Sequence, residues 1–118
     1  MLVMTTASDA DNVIFLRGRL GDAPIEKELP SGDVITSFRL TVQRPPGPGR
    51  IKVDSIDCAT DRARVRGTLA RAEAGDVLEV EGWLQRRFWR GPGGGPGSRY
   101  EVRANAVRLI RTDRRSGA

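Results

Sequence analysis

The chain has 118 residues, enough for one domain whose core needs neither disulfide nor metal. Twenty basic residues against fifteen acidic ones leave a net charge of +5, which favours a polyanionic partner. With no histidine and Cys58 as its single cysteine, the chain cannot use imidazole acid–base catalysis, an internal disulfide or a Cys/His zinc site.

Residues 1–11 are small and polar after a short apolar start and read as a flexible N-terminus. A first strand follows from Asn12 to Leu20 (NVIFLRGRL), with Leu16, Gly18 and Leu20 on one face and Arg17 and Arg19 on the other. Residues 21–29 form a polar connection, and Pro30-Ser31-Gly32 is a turn signal. The second strand spans Asp33 to Gln43; its alternation is irregular, so the facing of Thr36 to Leu40 stays open. Pro45 to Gly49 (PPGPG) fits neither a strand nor a helix interior and reads as a hairpin loop.

A third strand covers Ile51 to Thr60, with Ile51, Val53, Ser55 and Asp57 on one face. The next segment predicts a helix over Asp61 to Ala74, capped by Thr60 or Asp61 and stopped by Gly75. Val65, Leu69 and Ala72 share its apolar side, and its arginines read as a solvated face. The fourth strand, Val77 to Trp89, sets Val77, Glu79, Glu81 and Trp83 against Leu78, Val80, Gly82 and Leu84. Arg90 to Ser98 (RGPGGGPGS) is a flexible tip that lacks the Lys-Ser/Thr ending and following helix of a phosphate-binding loop. The fifth strand runs from Arg99 to Ile110, and residues 112–118 form a short basic tail.

Five strands with one helix between the third and fourth predict an all-β chain with the OB-fold, a five-stranded Greek-key barrel, over residues 12–111. An SH3-like barrel shares part of this pattern. The segments RGRLG (17–21), PSG (30–32), SFRLTV (37–42), SIDC (55–58), GDVLEVEGWLQRRFW (75–89) and YEVRANAVRLI (100–110) carry a more specific signal. Taken in order, they resemble the bacterial single-stranded DNA-binding protein family. That resemblance implies the OB-fold, a homo-oligomer with a tetramer ahead of a dimer, and binding of single-stranded DNA without sequence preference. It also implies a role in replication, recombination or repair.

Departures from the family pattern are equally specific. Where its members commonly carry aromatics, this chain has Pro46, Ser55 and Asp61, and Trp89 alone matches a family stacking aromatic. The final residues, Arg114 to Ala118, stand in place of a long tail with an acidic tip, so a shortened paralogue is expected.

Sequence-independent binding of a single strand needs cations for phosphates and flat platforms for bases. Residues 86–118 hold nine arginines against Glu101 and Asp113, so the positive charge is segregated to the last hairpin. Trp89 is the candidate base platform, with Phe88 either a second platform or core. Arg86, Arg87, Arg90 and Arg99, with Arg17, Arg19, Arg39 and Arg44, are the candidate phosphate contacts. Trp83 and Tyr100 are candidates for an interface or for stacking, and Cys58 for a buried apolar position. The structural alternatives are a Trp89 that covers core or interface and arginines that are merely solvated.

No cofactor, metal or membrane partner is expected, and the expected location is the cytoplasm, on the nucleoid. No apolar run approaches a membrane span, and no secretory signature opens the chain. An enzyme is not expected, because the carboxylates are spread in pairs with no nucleophile–base set. The competing function is an OB-fold interaction module of a primosome or recombination complex with weak DNA binding.

Overall fold

The computed structural model describes residues 10–91 and 93–110. The expectations of a flexible 1–11 and a basic tail at 112–118 fall, apart from residues 10 and 11, outside the described residues. The elements in order are β1 (Ile14–Leu20), β2 (Ile25–Glu28), β3 (Val34–Gln43), β4 (Val53–Thr60), α1 (Ala63–Ala70), β5 (Val77–Arg90) and β6 (Pro96–Ile110).

The strands are ordered β1-β5-β6-β4-β3-β2, and a second pairing of β1 with β3 closes the first five into a barrel. Closure rests on two facing pairs, Arg19 with Thr41 and Leu20 with Leu40. β4 and β6 run parallel; every other pairing is antiparallel. This is the expected OB-fold barrel, with its helix between the third and fourth barrel strands.

One element corrects the sequence reading. Residues 25–28, expected as part of a polar connection, form the short strand β2 on the free half of β3, from Ile25 opposite Ser37 to Glu28 opposite Val34. All four residues are exposed, so backbone hydrogen bonding holds β2 and no apolar periodicity betrays it.

The barrel interior is filled by Leu20, Phe38, Leu40, Cys58, Leu78, Val80 and Val102, and Val65 and Leu69 of α1 join the same cluster. Burying each of the larger side chains contributes roughly 1.5–3 kcal/mol. The open question on β3 resolves cleanly: Thr36, Phe38 and Leu40 point in, Ser37 and Arg39 point out.

The helix is shorter than the expected 61–74. Arg62 takes the N-cap position without a side-chain cap, and the Thr60 hydroxyl instead accepts the Arg62 N–H while donating to the Ala104 carbonyl. Thr60 therefore ties β4 to β6 beside the helix start. At the other end the buried Asp76 carboxylate accepts the Glu73 N–H at 2.8 Å, which draws the chain out of the helix. Gly75 does not stop the helix; its N–H donates to the Leu20 carbonyl as the chain enters β5.

The β5–β6 ladder contains one irregularity. Glu81 faces Ala106 and Gly82 faces Ala104, so Asn105 is the extra residue of a bulge. Gly82 sits so close to β6 that a Cβ there would lie 1.8 Å from the Arg103 carbonyl oxygen. Trp83, which alternation groups with Glu79 and Glu81, is half-buried. The Asn12 side-chain amide bonds both the N–H and the carbonyl of Leu84, and residues 12 and 13 thereby lie beside the indole. No helix among the described residues is long and apolar enough to cross a membrane.

Two measurements check this packing. Gly82→Ala should destabilise the fold by about 3 kcal/mol, the upper range of overpacking, read as a lower urea midpoint; an unchanged midpoint refutes the close approach. Burial pushes the Cys58 thiol up to about 12, with the carboxylates of Asp57 and Glu101 adding to the shift. The native protein should therefore leave its thiol unmodified by a disulfide reagent at mildly alkaline pH and release one equivalent once denatured.

Candidate nucleic-acid interface

Beyond the Gly82–Ala104 pair β5 has no strand partner but β6, and past the last β4–β6 pair, Cys58 with Val102, the two strands leave the barrel as a ribbon ending at Arg90 opposite Pro96. The expected flexible tip is shorter than residues 90–98: Pro96 to Ser98 are strand, and the turn is held by the Gly91 N–H to Gly95 carbonyl bond at 2.6 Å. Successive strand residues point to opposite sides. Arg87 and Trp89 therefore share one side with Gly97, Arg99 and Glu101, while Arg86 and Phe88 share the other with Ser98 and Tyr100.

On the first side Trp89 lies directly across from Gly97, and a Cβ on that glycine would come within 2.6 Å of the indole. The missing side chain lets the ring lie against the partner strand. Trp89 keeps 42% of its surface exposed, and the Arg99 guanidinium stands 5.5 Å from its ring centroid. On the second side Arg86 stands 4.8 Å from the centroid of Phe88 and 5.7 Å from that of Tyr100, and donates to the Ser98 hydroxyl at 2.8 Å. Phe88 and Tyr100 are 68% and 61% exposed, so neither belongs to the core.

The Trp89 side of the ribbon continues into a groove on the barrel wall. Ser37 and Arg39 of β3, Asp57 of β4, and Arg87, Arg99 and Glu101 of the hairpin line it, with Ile25 and Asp22 at its edge. It extends towards Lys27, Ile35 and Arg103, and Ser37, Arg87 and Glu101 belong to both halves. Arg87 makes no hydrogen bond or ion pair among the described residues. Its two neighbours are engaged: Arg39 and Arg99 both donate to the Asp57 carboxylate, at 3.1 and 2.8 Å.

Of the ten candidate contacts, then, Arg39, Arg87 and Arg99 meet at one groove, and Trp89 stands next to it against Arg99. Arg86 and Phe88 stand behind it on the reverse side of the ribbon, and Arg90 sits at the tip with a weak bond to the Gly94 carbonyl at 3.4 Å. Arg44 makes a forked pair with Asp54 at 2.9 and 2.7 Å beside the β3–β4 loop, which holds the Asp54 carboxyl below its ordinary value. Arg17 and Arg19 lie elsewhere, on the outer face of β1. Arg17 donates to Glu79, which lowers that carboxyl, and Arg19 donates to the Gly75 carbonyl.

The sequence reading missed Lys27, Asp57 and Glu101 as groove residues. Strand alternation groups Asp57 with Ile51, Val53 and Ser55 on one face, but its contacts come from pairings of β4 with β3 and β6 that no local pattern encodes. The three family aromatic positions, Pro46, Ser55 and Asp61, are all exposed and supply no ring.

The single-strand binding protein family matches residues 11–110. The single-stranded DNA-binding protein of Oceanobacillus iheyensis is 28% identical over 103 residues, covering 86% of this chain and 64% of that protein. The chain thus spans 64% of the length of that curated relative. A solved structure described as "Plasmodium falciparum SSB complex with ssDNA" shares the fold with a TM-score of 0.70 at 24% identity, over 92% of this chain and 100% of the other. Because the family match runs from before β1 to the last residue of β6, across the barrel and its projecting ribbon alike, the chain belongs to the single-strand binding protein family.

Proposed function

We propose that this chain binds single-stranded DNA without reading its sequence, through residues 12–111, and acts by binding and not by catalysis. The observation that carries the proposal is that Trp89 shares one side of the ribbon with Arg87 and Arg99, which line a groove together with Arg39. An indole offers any base a flat partner, and guanidinium groups track a phosphate backbone whatever the bases are. Family membership supports the same ligand, and so does the ssDNA complex of the Plasmodium falciparum protein.

Coating single strands during replication, recombination or repair, on DNA in the cytoplasm, is the corresponding cellular role. A homo-oligomer, a tetramer ahead of a dimer, fits the apolar surface exposed by Val13, just before β1, and Phe15 within it. A second function has one observation in its favour. With Pro46, Ser55 and Asp61 in place of rings, the chain offers few stacking platforms, as an OB-fold interaction module with weak DNA binding would.

Quenching of tryptophan fluorescence by thymidine oligomers of several lengths separates the two. Binding should be length-dependent, and its logarithm should fall with log salt at roughly 0.7 per phosphate contact. Trp89→Ala should fold normally and lose about 1–3 kcal/mol of binding. Absence of binding in dilute buffer would leave the protein-interaction module standing, and a Trp89→Ala protein of full affinity would remove the stacking role.

A further inference from the structure

The groove is not uniformly positive. Its lining sets Arg39, Arg87 and Arg99 against Asp22, Asp57 and Glu101. Among these carboxylates Asp57 is distinctive, because one oxygen takes the Arg39 Nε–H at 3.1 Å and the other takes an Arg99 Nη1–H at 2.8 Å. Two of the three groove arginines are thus already bonded to a planar, two-oxygen anion, which is the chemistry a phosphate would offer them. The Asp57 side chain is 31% exposed and the two arginine side chains about half exposed. The contact is open to solvent and to a competing anion, not sealed within the core.

We propose that Asp57 is an internal competitor for the phosphates of the bound strand, and that it limits the affinity of the groove and the salt dependence of binding. This rests on the single-stranded DNA-binding function proposed above. A strand that enters the groove either displaces the carboxylate from Arg39 and Arg99 or shares them with it. Both routes subtract from the gain of each phosphate contact and from the counterion release that accompanies it.

The opposing effect is preorganisation, since Asp57 also localises the two guanidinium groups. For Arg99 that contribution is redundant, because the Trp89 ring already stands against it. Only Arg39 loses its positioning contact, whereas removal of the negative charge frees both guanidinium groups for phosphate.

Asp57→Asn keeps the size and one acceptor oxygen while removing the charge, and Asp57→Ser removes the carboxylate and the size together. Glu81→Gln loses the same charge on the barrel face where Glu81 stands opposite Phe15, away from the groove. The three variants and the parent protein are titrated with long thymidine oligomers across a salt series, with unfolding curves as a control on structure.

The expected result is that both Asp57 variants bind about tenfold more tightly in dilute salt. Their log–log salt slopes should steepen by up to about 0.7 for each arginine released. The curves should converge with the parent's as salt rises, and Glu81→Gln should change affinity by less than about twofold. Unchanged or weaker binding by the folded Asp57 variants overturns the role of Asp57 while leaving DNA binding by the parent intact. An equal gain from Glu81→Gln also overturns it, since the effect would then be one of net charge. If neither parent nor variants bind, the underlying function falls together with the inference.

Discussion

One antiparallel ladder governs this molecule. β5 and β6 pair from Val77 opposite Ile110 to Arg90 opposite Pro96, broken only by the Asn105 bulge, yet they do two different jobs along that length. In the barrel the ladder presents Leu78, Val80, Val102 and Ala104 to the core. From the Arg86–Tyr100 pair onward the same alternation, on exposed residues, presents guanidinium groups and rings. The facing of every ribbon residue is inherited from the barrel, because a shift of one residue would exchange the two sides. The Asn105 bulge and the contact of Gly82 with Arg103 pin that register at the point where the ribbon emerges.

That inheritance explains what could be read from the sequence. The barrel strands alternate with period two against a single core, and Leu20, Leu40, Leu78 and Val80 mark their inward positions directly. α1 was visible through Val65 and Leu69, but its end was not. The carboxylate of Asp76 captures a backbone N–H three residues earlier, and this competition leaves no mark on the apolar pattern. β2 escaped for a related reason, since an exposed strand held by backbone bonds has no buried face to show.

The site was legible as a composition and not as an arrangement. Nine arginines after residue 85 announce a cationic hairpin, but clustering in sequence is not clustering in space. Phe88 and Trp89 are neighbours in the chain and stand on opposite sides of the ribbon, whereas Arg39 and Arg99, sixty residues apart, share one carboxylate. Arg17 and Arg19 looked equivalent to the groove arginines and proved to be partnered on another face. Pairings between distant strands made these distinctions, and the information for them is spread over the whole barrel.

The contacts of Arg86 with two rings and a serine hydroxyl have a thermodynamic meaning of their own. A free arginine side chain samples many rotamers, and confining it costs up to ~2 kcal/mol of entropy. Phe88, Tyr100 and Ser98 each hold the Arg86 guanidinium in one orientation in the folded chain. An anion arriving at this side of the ribbon would meet a donor already oriented, and the ordering penalty that usually weakens surface arginines would be largely absent.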